Sequence, residues 1–179
     1  MRLDELNALK ADAAARAFTR CCGSSRWAQR MAEARPFSST EAIAARSDAI
    51  WKALNRPDWF EAFAAHPEIG AGEAGGSGEA GAPSGAGVSA WSDEEQVGVA
   101  GAAEQTRRRL AEANRDYRAR FGYIFIVCAT GKTGDEMLAL LEVRLRHDPG
   151  DELRIAAEEQ RKITQLRLNK LLEQERGTP

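Results

Sequence analysis

The chain of 179 residues is 43% hydrophobic and 29% charged, which is ordinary for one globular domain. Its formal net charge of −2 gives no electrostatic reason to expect nucleic acid or an anionic membrane as a partner. No apolar run approaches the roughly 20 residues needed to cross a bilayer, and the chain does not start with a signal-peptide pattern, so we expect a cytoplasmic protein.

The cysteine and histidine content argues against a disulfide framework and against a metal site. Three cysteines are an odd number, and Cys21, Cys22 and Cys128 are more simply explained as buried or half-buried thiols. The chain has only two histidines, no H-E-x-x-H motif and no paired C-x-x-C motifs. We therefore expect chemistry that needs no metal.

The first residues have the periodicity of an amphipathic helix. Apolar side chains recur at helical spacing from Leu3 onward, which predicts one helix that ends near Cys22. Trp27 and Met31 predict a short second helix, and Pro36 would stop it.

Two more helices are predicted before residue 66. Ser38 and Glu41 have the spacing of a capping box and would open the first of them. Asp58 would open the second, which must end by Ala65 because a proline at position 67 disfavours helix at position 66. The buried stripe of the first contains Ile43, Ile50, Trp51 and Leu54.

His66 and Pro67 place a titratable side chain at a corner of the backbone. Imidazole has the side-chain pKa closest to neutral pH, and proline forces the residue before it out of helical conformation. A lone histidine is more often structural than catalytic, so the local pattern leaves both roles open for His66.

Residues 71–90 form a glycine-rich insertion. Eight of the 16 glycines lie between Gly70 and Ser89, and such a composition cannot hold a packed core. We expect a flexible surface loop that is either a lid or an inert insertion, and the inert interpretation is favoured.

A long helix is predicted from Ser92 to about Phe121. Ser92 and Glu95 have capping-box spacing, and Leu110 and Tyr117 lie on one apolar face of this helix. Glu95 has two candidate roles, because a carboxylate in a first helical turn can bond the local backbone or serve an active site.

The run Tyr123–Ala129 is β-branched and aromatic, which by propensity indicates a strand. No other segment offers a partner strand, so we expect an extended, buried connector instead of a sheet. The backbone polar groups of such a connector need other partners and are available to a ligand.

The segment after the connector does not fit a phosphate loop. Gly131–Thr133 resembles the end of that motif, but the motif also requires glycine at position 126, where this chain has isoleucine. Thr133 and Glu136 instead make a capping box. The helix that follows would bury Met137, Leu141 and Leu145.

The last predicted helix starts at Pro149 and extends to about Glu173. Its buried stripe contains Leu153, Ala156, Gln160, Ile163, Arg167 and Leu171. A buried guanidinium at Arg167 needs an anionic partner, because an unpaired buried charge costs roughly several kcal/mol. That partner is either a structural carboxylate or an anion or carbonyl of a substrate.

Four motifs now stand in order along the chain: HPEIG at His66–Gly70, WSDEEQ at Trp91–Gln96, RFGYIFIVCATGK at Arg120–Lys132 and KITQLRL at Lys162–Leu168. Together they resemble the OHCU decarboxylases, which convert 2-oxo-4-hydroxy-4-carboxy-5-ureidoimidazoline (OHCU) to S-allantoin in urate degradation. The resemblance covers nearly the whole chain except the glycine-rich insertion, and the Glu68-Ile69 pair stands where many relatives have Asp-Leu.

The resemblance implies an all-α, single-domain multi-helix bundle over residues 1–179. It also implies a cofactor-independent carboxy-lyase that takes OHCU as its substrate, typically as a homodimer. His66 would be the catalytic acid/base, with Glu95 beside the substrate or orienting His66. The substrate-binding residues would be Pro67, Ser92, Gln96, Phe125, Ile126, Val127 and Arg167.

Two other interpretations stay open at this point. The chain could be a non-catalytic helical module that binds a small anion or a protein partner through a pocket at Arg167. It could also be a fragment that is normally fused to a transthyretin-like hydrolase.

Overall fold

The computed structural model describes residues 1–68 and 104–173 of the chain. These residues form eight α-helices and no strand, so the prediction of an all-α fold is confirmed. The helices are α1 (Leu3–Ala8), α2 (Ala11–Thr19), α3 (Ser25–Glu33), α4 (Thr40–Lys52), α5 (Arg56–Ala64), α6 (Glu104–Phe121), α7 (Gly134–Arg144) and α8 (Pro149–Glu173). None of the helices in this described part is long and apolar enough to cross a membrane.

The chain divides into two compact units. Residues Met1–Ala65 form the first unit together with the chain from Gln160 onward, and residues His66–Glu159 form the second. Helix α8 therefore supplies its first half to the second unit and its second half to the first. A single domain over residues 1–179 stays a prediction, and the insertion at 71–90 lies outside the described residues.

The prediction of one helix from Leu3 to Cys22 is wrong, because the chain breaks into α1 and α2. The break lies at Leu9, whose backbone is extended with φ −60° and ψ 145°. The guanidinium of Arg35 donates through Nη1 to the carbonyl oxygens of Leu6 at 2.9 Å and Leu9 at 2.6 Å. A cation from a distant part of the sequence thus satisfies carbonyl groups that a continuous helix would have used internally.

Local capping signals set the starts of the next helices. The cap of α4 is Ser39, whose hydroxyl oxygen accepts from the Ala42 N–H at 3.2 Å, so the prediction of Ser38 is wrong by one residue. Helix α5 starts after Asn55, which makes a reciprocal capping box with Asp58. Its end at Ala64, with Ala65 as the C-cap, confirms the limit that Pro67 imposes.

The predictions for the later helices are largely confirmed. Thr133 and Glu136 make the expected capping box at α7, and α8 starts at Pro149 as predicted and is helical to Glu173, the last described residue. Met137 and Leu141 are buried, but Leu145 is the C-cap of α7 and only half-buried. Leu138 is buried as well, since it lies three residues before Leu141 on the same face of α7.

Gly23 allows the end of α5 to approach the turn between α2 and α3. A Cβ atom at Gly23 would lie 2.3 Å from the Cβ atom of Ala65, far inside van der Waals contact. Both residues belong to the first unit, and Ala65 immediately precedes His66 in the chain. The absence of a side chain at Gly23 therefore allows the C-cap of α5 to pack against this turn.

We expect Gly23→Ala to lower the free energy of unfolding by about 1 to 3 kcal/mol, because either the α5 C-cap or the turn must shift. Gly150→Ala is the matched control, since its added Cβ would meet only the Asp148 carboxylate, 3.2 Å away on an exposed side chain. Its effect should stay below about 1 kcal/mol. Urea unfolding measures both, and equal losses in the two variants would contradict the close-approach argument.

Candidate active site

The His66–Pro67 corner starts the second unit. His66 is half-buried and Pro67 is exposed. The next residue, Glu68, pairs with Arg118 of α6 through Oε1 and Nη1 at 2.8 Å. This exposed ion pair, worth at most about 1 kcal/mol, ties the corner to the C-terminal half of α6.

The connector between α6 and α7 is buried, as predicted, and has no strand partner within residues 1–68 and 104–173. Tyr123–Val127 and Ala129 are each at most 8% exposed, and Cys128 is half-buried. The Tyr117 ring of α6 lies edge-on to the Phe125 ring, with 5.4 Å between the centroids. Aromatic packing therefore holds one face of the connector against α6.

Side chains from three helices satisfy the connector backbone. The Asn114 Oδ1 atom of α6 accepts from the Phe125 N–H at 3.4 Å. The Glu159 Oε2 atom of α8 accepts from the Cys128 N–H at 2.8 Å. The Ile126 carbonyl oxygen accepts from Arg144 Nη1 of α7 at 2.7 Å. An extended segment outside a sheet needs such partners, and here each comes from a different helix.

One buried carboxylate binds polar side chains from several parts of the second unit. Glu152, in the first turn of α8, is fully buried. Its Oε1 atom accepts from Arg144 Nε at 2.8 Å, from Arg144 Nη2 at 2.5 Å and from the Tyr117 hydroxyl. Its Oε2 atom lies 2.8 Å from Nδ1 of His147. Helices α6, α7 and α8 are therefore joined at this carboxylate.

Arg144 connects that carboxylate to the connector. Its side chain is 6% exposed, and its guanidinium carbon lies 4.6 Å from the centroid of the Phe125 ring. The same guanidinium uses Nε and Nη2 for Glu152 and Nη1 for the Ile126 carbonyl. A planar fork of donors makes these contacts at once, which a lysine could not do.

The Tyr117 hydroxyl acts as a donor within this cluster. Burial raises the pKa of Tyr117 above its ordinary value, the Arg144 charge opposes that rise, and the hydrogen bond to Glu152 adds to it. The phenol therefore stays protonated at neutral pH and donates to the carboxylate.

Arg167 lies in the second half of α8 and is fully buried, as its place on the apolar stripe predicts. Its positive charge acts to lower the pKa of Cys21 and Cys22, two fully buried thiols shortly after the end of α2. Burial raises the pKa of Cys22 to about 11, while hydrogen bonds and the Arg167 charge act in the opposite direction. These thiols therefore stay neutral at physiological pH, and all three cysteines are free.

The structure describes six of the nine predicted site residues. His66, Pro67 and the Phe125–Val127 run belong to the second unit, and Arg167 belongs to the first. Ser92, Glu95 and Gln96 lie outside the described residues. Within residues 1–68 and 104–173, no group of three or more histidine, cysteine or carboxylate side chains is arranged to hold a metal ion.

The cluster around Glu152 was not predicted from the sequence, although the pattern that predicts the burial of Arg167 is also present at Arg144 and Glu152. Arg144 lies seven residues after Met137 and three after Leu141, on the apolar face of α7. Glu152 lies four residues before Ala156, on the same stripe of α8 as Arg167. A charged residue on an apolar stripe predicts a buried, partnered charge in all three cases.

The family model for OHCU decarboxylase matches residues 7–169 of the chain. The chain belongs to the OHCU decarboxylase family. The match includes both units, the His66 corner, the connector and Arg167.

Individual relatives agree with this assignment. The chain is 41% identical over 155 residues to the uric acid degradation bifunctional protein TTL of Arabidopsis thaliana, covering 84% of this chain and 45% of that protein. It is 27% identical to the 2-oxo-4-hydroxy-4-carboxy-5-ureidoimidazoline decarboxylase of Haloferax volcanii, with 94% of each chain covered. The chain thus spans less than half of the bifunctional relative and nearly all of the other.

A solved structure has the same fold. The crystal structure of an OHCU decarboxylase in the presence of (S)-allantoin superimposes with a TM-score of 0.72 at 38% identity, covering 88% of this chain and 97% of that one. A structure of an (S)-allantoin synthase superimposes with a TM-score of 0.68 at 18% identity, which supports the fold alone.

Proposed function

We propose that this protein decarboxylates OHCU to (S)-allantoin in urate degradation. The observation that carries the proposal is the family match over residues 7–169, which includes every described candidate residue. The 38% identity to an OHCU decarboxylase crystallised with (S)-allantoin adds support.

The proposed reaction asks little of the protein in covalent terms. The bond between the ring and the carboxylate carbon breaks, carbon dioxide leaves, and the electron pair passes into the conjugated ring. A proton is then added to one face of the carbon that becomes the stereocentre of (S)-allantoin. The substrate itself accepts the electrons, so the protein has to orient the carboxylate, stabilise charge on the ring and deliver the proton.

His66 is proposed as the acid/base that handles the proton. Its half-buried position on a corner fixed by Pro67 suits a group that exchanges protons with both a ligand and solvent. Buried hydrogen-bond donors suit the growing ring charge, and Arg167 and the backbone at Ile126 and Val127 are proposed for that role.

We expect His66→Ala to lower kcat/KM by about 10² to 10⁴, the usual worth of a positioned acid/base. The assay uses freshly generated OHCU and reads the enantiomeric excess of allantoin by circular dichroism, because spontaneous decay gives racemic product. Arg154→Gln, which breaks only an exposed pair with Asp151, is the control and should behave as wild type. Wild-type turnover by His66→Ala would refute the assigned role.

Arg167 is proposed to hold an oxygen of the substrate. Arg167→Lys keeps the charge but loses the planar fork of donors, so we expect KM to rise about 10-fold or more with a smaller change in kcat. A lower melting temperature with unchanged KM would instead identify Arg167 as part of a structural ion pair. Steady-state kinetics and thermal unfolding, measured on the same preparation, separate these outcomes.

Glu95 is proposed to pair with substrate N–H groups or to orient His66. Glu95→Gln keeps the size of the side chain and removes its charge. We expect lost turnover at an unchanged melting temperature. A lower melting temperature with normal turnover would assign Glu95 to the helix cap that its spacing from Ser92 also predicts.

The homodimer and the cytoplasmic location belong to the same proposal. The homodimer rests on the resemblance to the family, and the location rests on the expectation from the sequence given above. The non-catalytic anion-binding module is not favoured, because the curated relatives are named for decarboxylation or uric acid degradation. That alternative predicts allantoin without enantiomeric excess in the His66 assay. Fusion to a second enzyme, as in the bifunctional relative, remains compatible with the 45% coverage.

A further inference from the structure

We infer that Arg144, held by Glu152, is a positioning residue that sets the orientation of the Phe125–Val127 segment toward the substrate. The inference rests on the proposed function, in which this segment contacts the substrate ring. Arg144 donates through Nε and Nη2 to Glu152 and through Nη1 to the Ile126 carbonyl, so it acts through the connector rather than on the reacting atoms.

Arg144 fixes the peptide plane between Ile126 and Val127. Arg144 Nη1 donates to the Ile126 carbonyl oxygen at 2.7 Å, and the only cis peptide among the described residues is Arg35-Pro36. The C=O and the N–H of a trans peptide unit point in opposite directions within one plane. By fixing the Ile126 carbonyl, Arg144 therefore aims the Val127 N–H at the opposite side of the connector.

The same guanidinium also packs against the ring of Phe125. The Arg144 guanidinium carbon lies 4.6 Å from the ring centroid, and the Tyr117 ring packs edge-on at 5.4 Å. The ring is thus held between a cation and an aromatic edge, an arrangement with a defined geometry. One guanidinium consequently orients both a side chain and a peptide plane proposed to meet the substrate.

Glu152 in turn holds Arg144 in place. Glu152 is fully buried and takes two donors from Arg144, and its other contacts come from Tyr117 and His147. A guanidinium bound on two edges and stacked on a ring has little freedom to move. Burying this pair is not an obvious way to gain stability, because a well-packed apolar pair of similar volume is often as stable. A role in fixing the connector explains the arrangement better.

The test compares two ways of removing the fork. Arg144→Lys keeps the charge, and the double variant Arg144→Met with Glu152→Met replaces the buried pair by apolar side chains. Glu142→Gln is the matched control, because Glu142 lies on α7 with Arg144 and the change breaks an exposed ion pair with Arg109 of α6. Each variant is measured for melting temperature, for KM and kcat with OHCU, and for the Kd of (S)-allantoin.

A positioning role predicts that KM and Kd rise in both Arg144 variants, by up to about 100-fold, since a misplacement of about 1 Å can cost that much. The rise should persist in the double variant even where its melting temperature matches wild type. By contrast, His66→Ala should act mainly on kcat. Unchanged KM and Kd in a folded Arg144→Lys protein would overturn the inference, and so would their recovery in a stable double variant.

A readout that needs no ligand separates this inference from the proposed function. The amide ¹H–¹⁵N shifts of Phe125–Val127 should move in the Arg144 variants and stay in place in Glu142→Gln. Unmoved shifts would overturn the inference even if the wild type decarboxylates OHCU. Moved shifts in a protein whose wild type gives no excess of (S)-allantoin would refute the proposed function alone.

Discussion

The second unit depends on a single buried carboxylate. Glu152 has no contact with solvent, and an unpaired charge in that position would cost about 3 to 5 kcal/mol. It is tolerated because Arg144, Tyr117 and His147 all bond to it. These partners come from α6, from α7 and from the turn before α8, so the need to pair one charge fixes three parts of the chain together.

The helices that meet at Glu152 also hold the connector between α6 and α7. A run of β-branched and aromatic residues would usually pair in a sheet, but the described residues contain no strand. Instead Asn114, Arg144 and Glu159 satisfy its backbone, each from a different helix. A backbone held by side chains on rigid helices can keep its remaining polar groups in a defined direction for a ligand, at the cost of burying the charges of Arg144 and Glu152.

The family assignment fits a site built from donors and one acid/base. The proposed chemistry needs charge stabilisation and a proton, and the described candidates supply a buried guanidinium at Arg167, a half-buried imidazole at His66 and an ordered backbone at Phe125–Val127. Each of these lies within the matched region. The candidates His66 and Arg167 lie more than 100 positions apart in the sequence.

The sequence by itself determined the features that rest on local physics. The capping box of Thr133 and Glu136, the end of α5 before Pro67 and the burial of Arg167 all follow from spacing within a few residues. Such signals act through the backbone of one helix or one turn. They remain readable without knowledge of what the helix packs against.

Only the tertiary structure decided the features that depend on partners distant in the chain. Arg35 ends α1 because it donates to the carbonyl oxygens of Leu6, Asn7 and Leu9, which lie 26 to 29 residues away. No pattern near Leu9 in the sequence predicts that break. Arg144 was visible as a charge on an apolar stripe, but its bond to Ile126, 18 residues away, was not. Periodicity tells which side chains are buried, whereas the identity of their partners depends on how the helices pack, because a hydrogen bond needs atoms within about 3 Å.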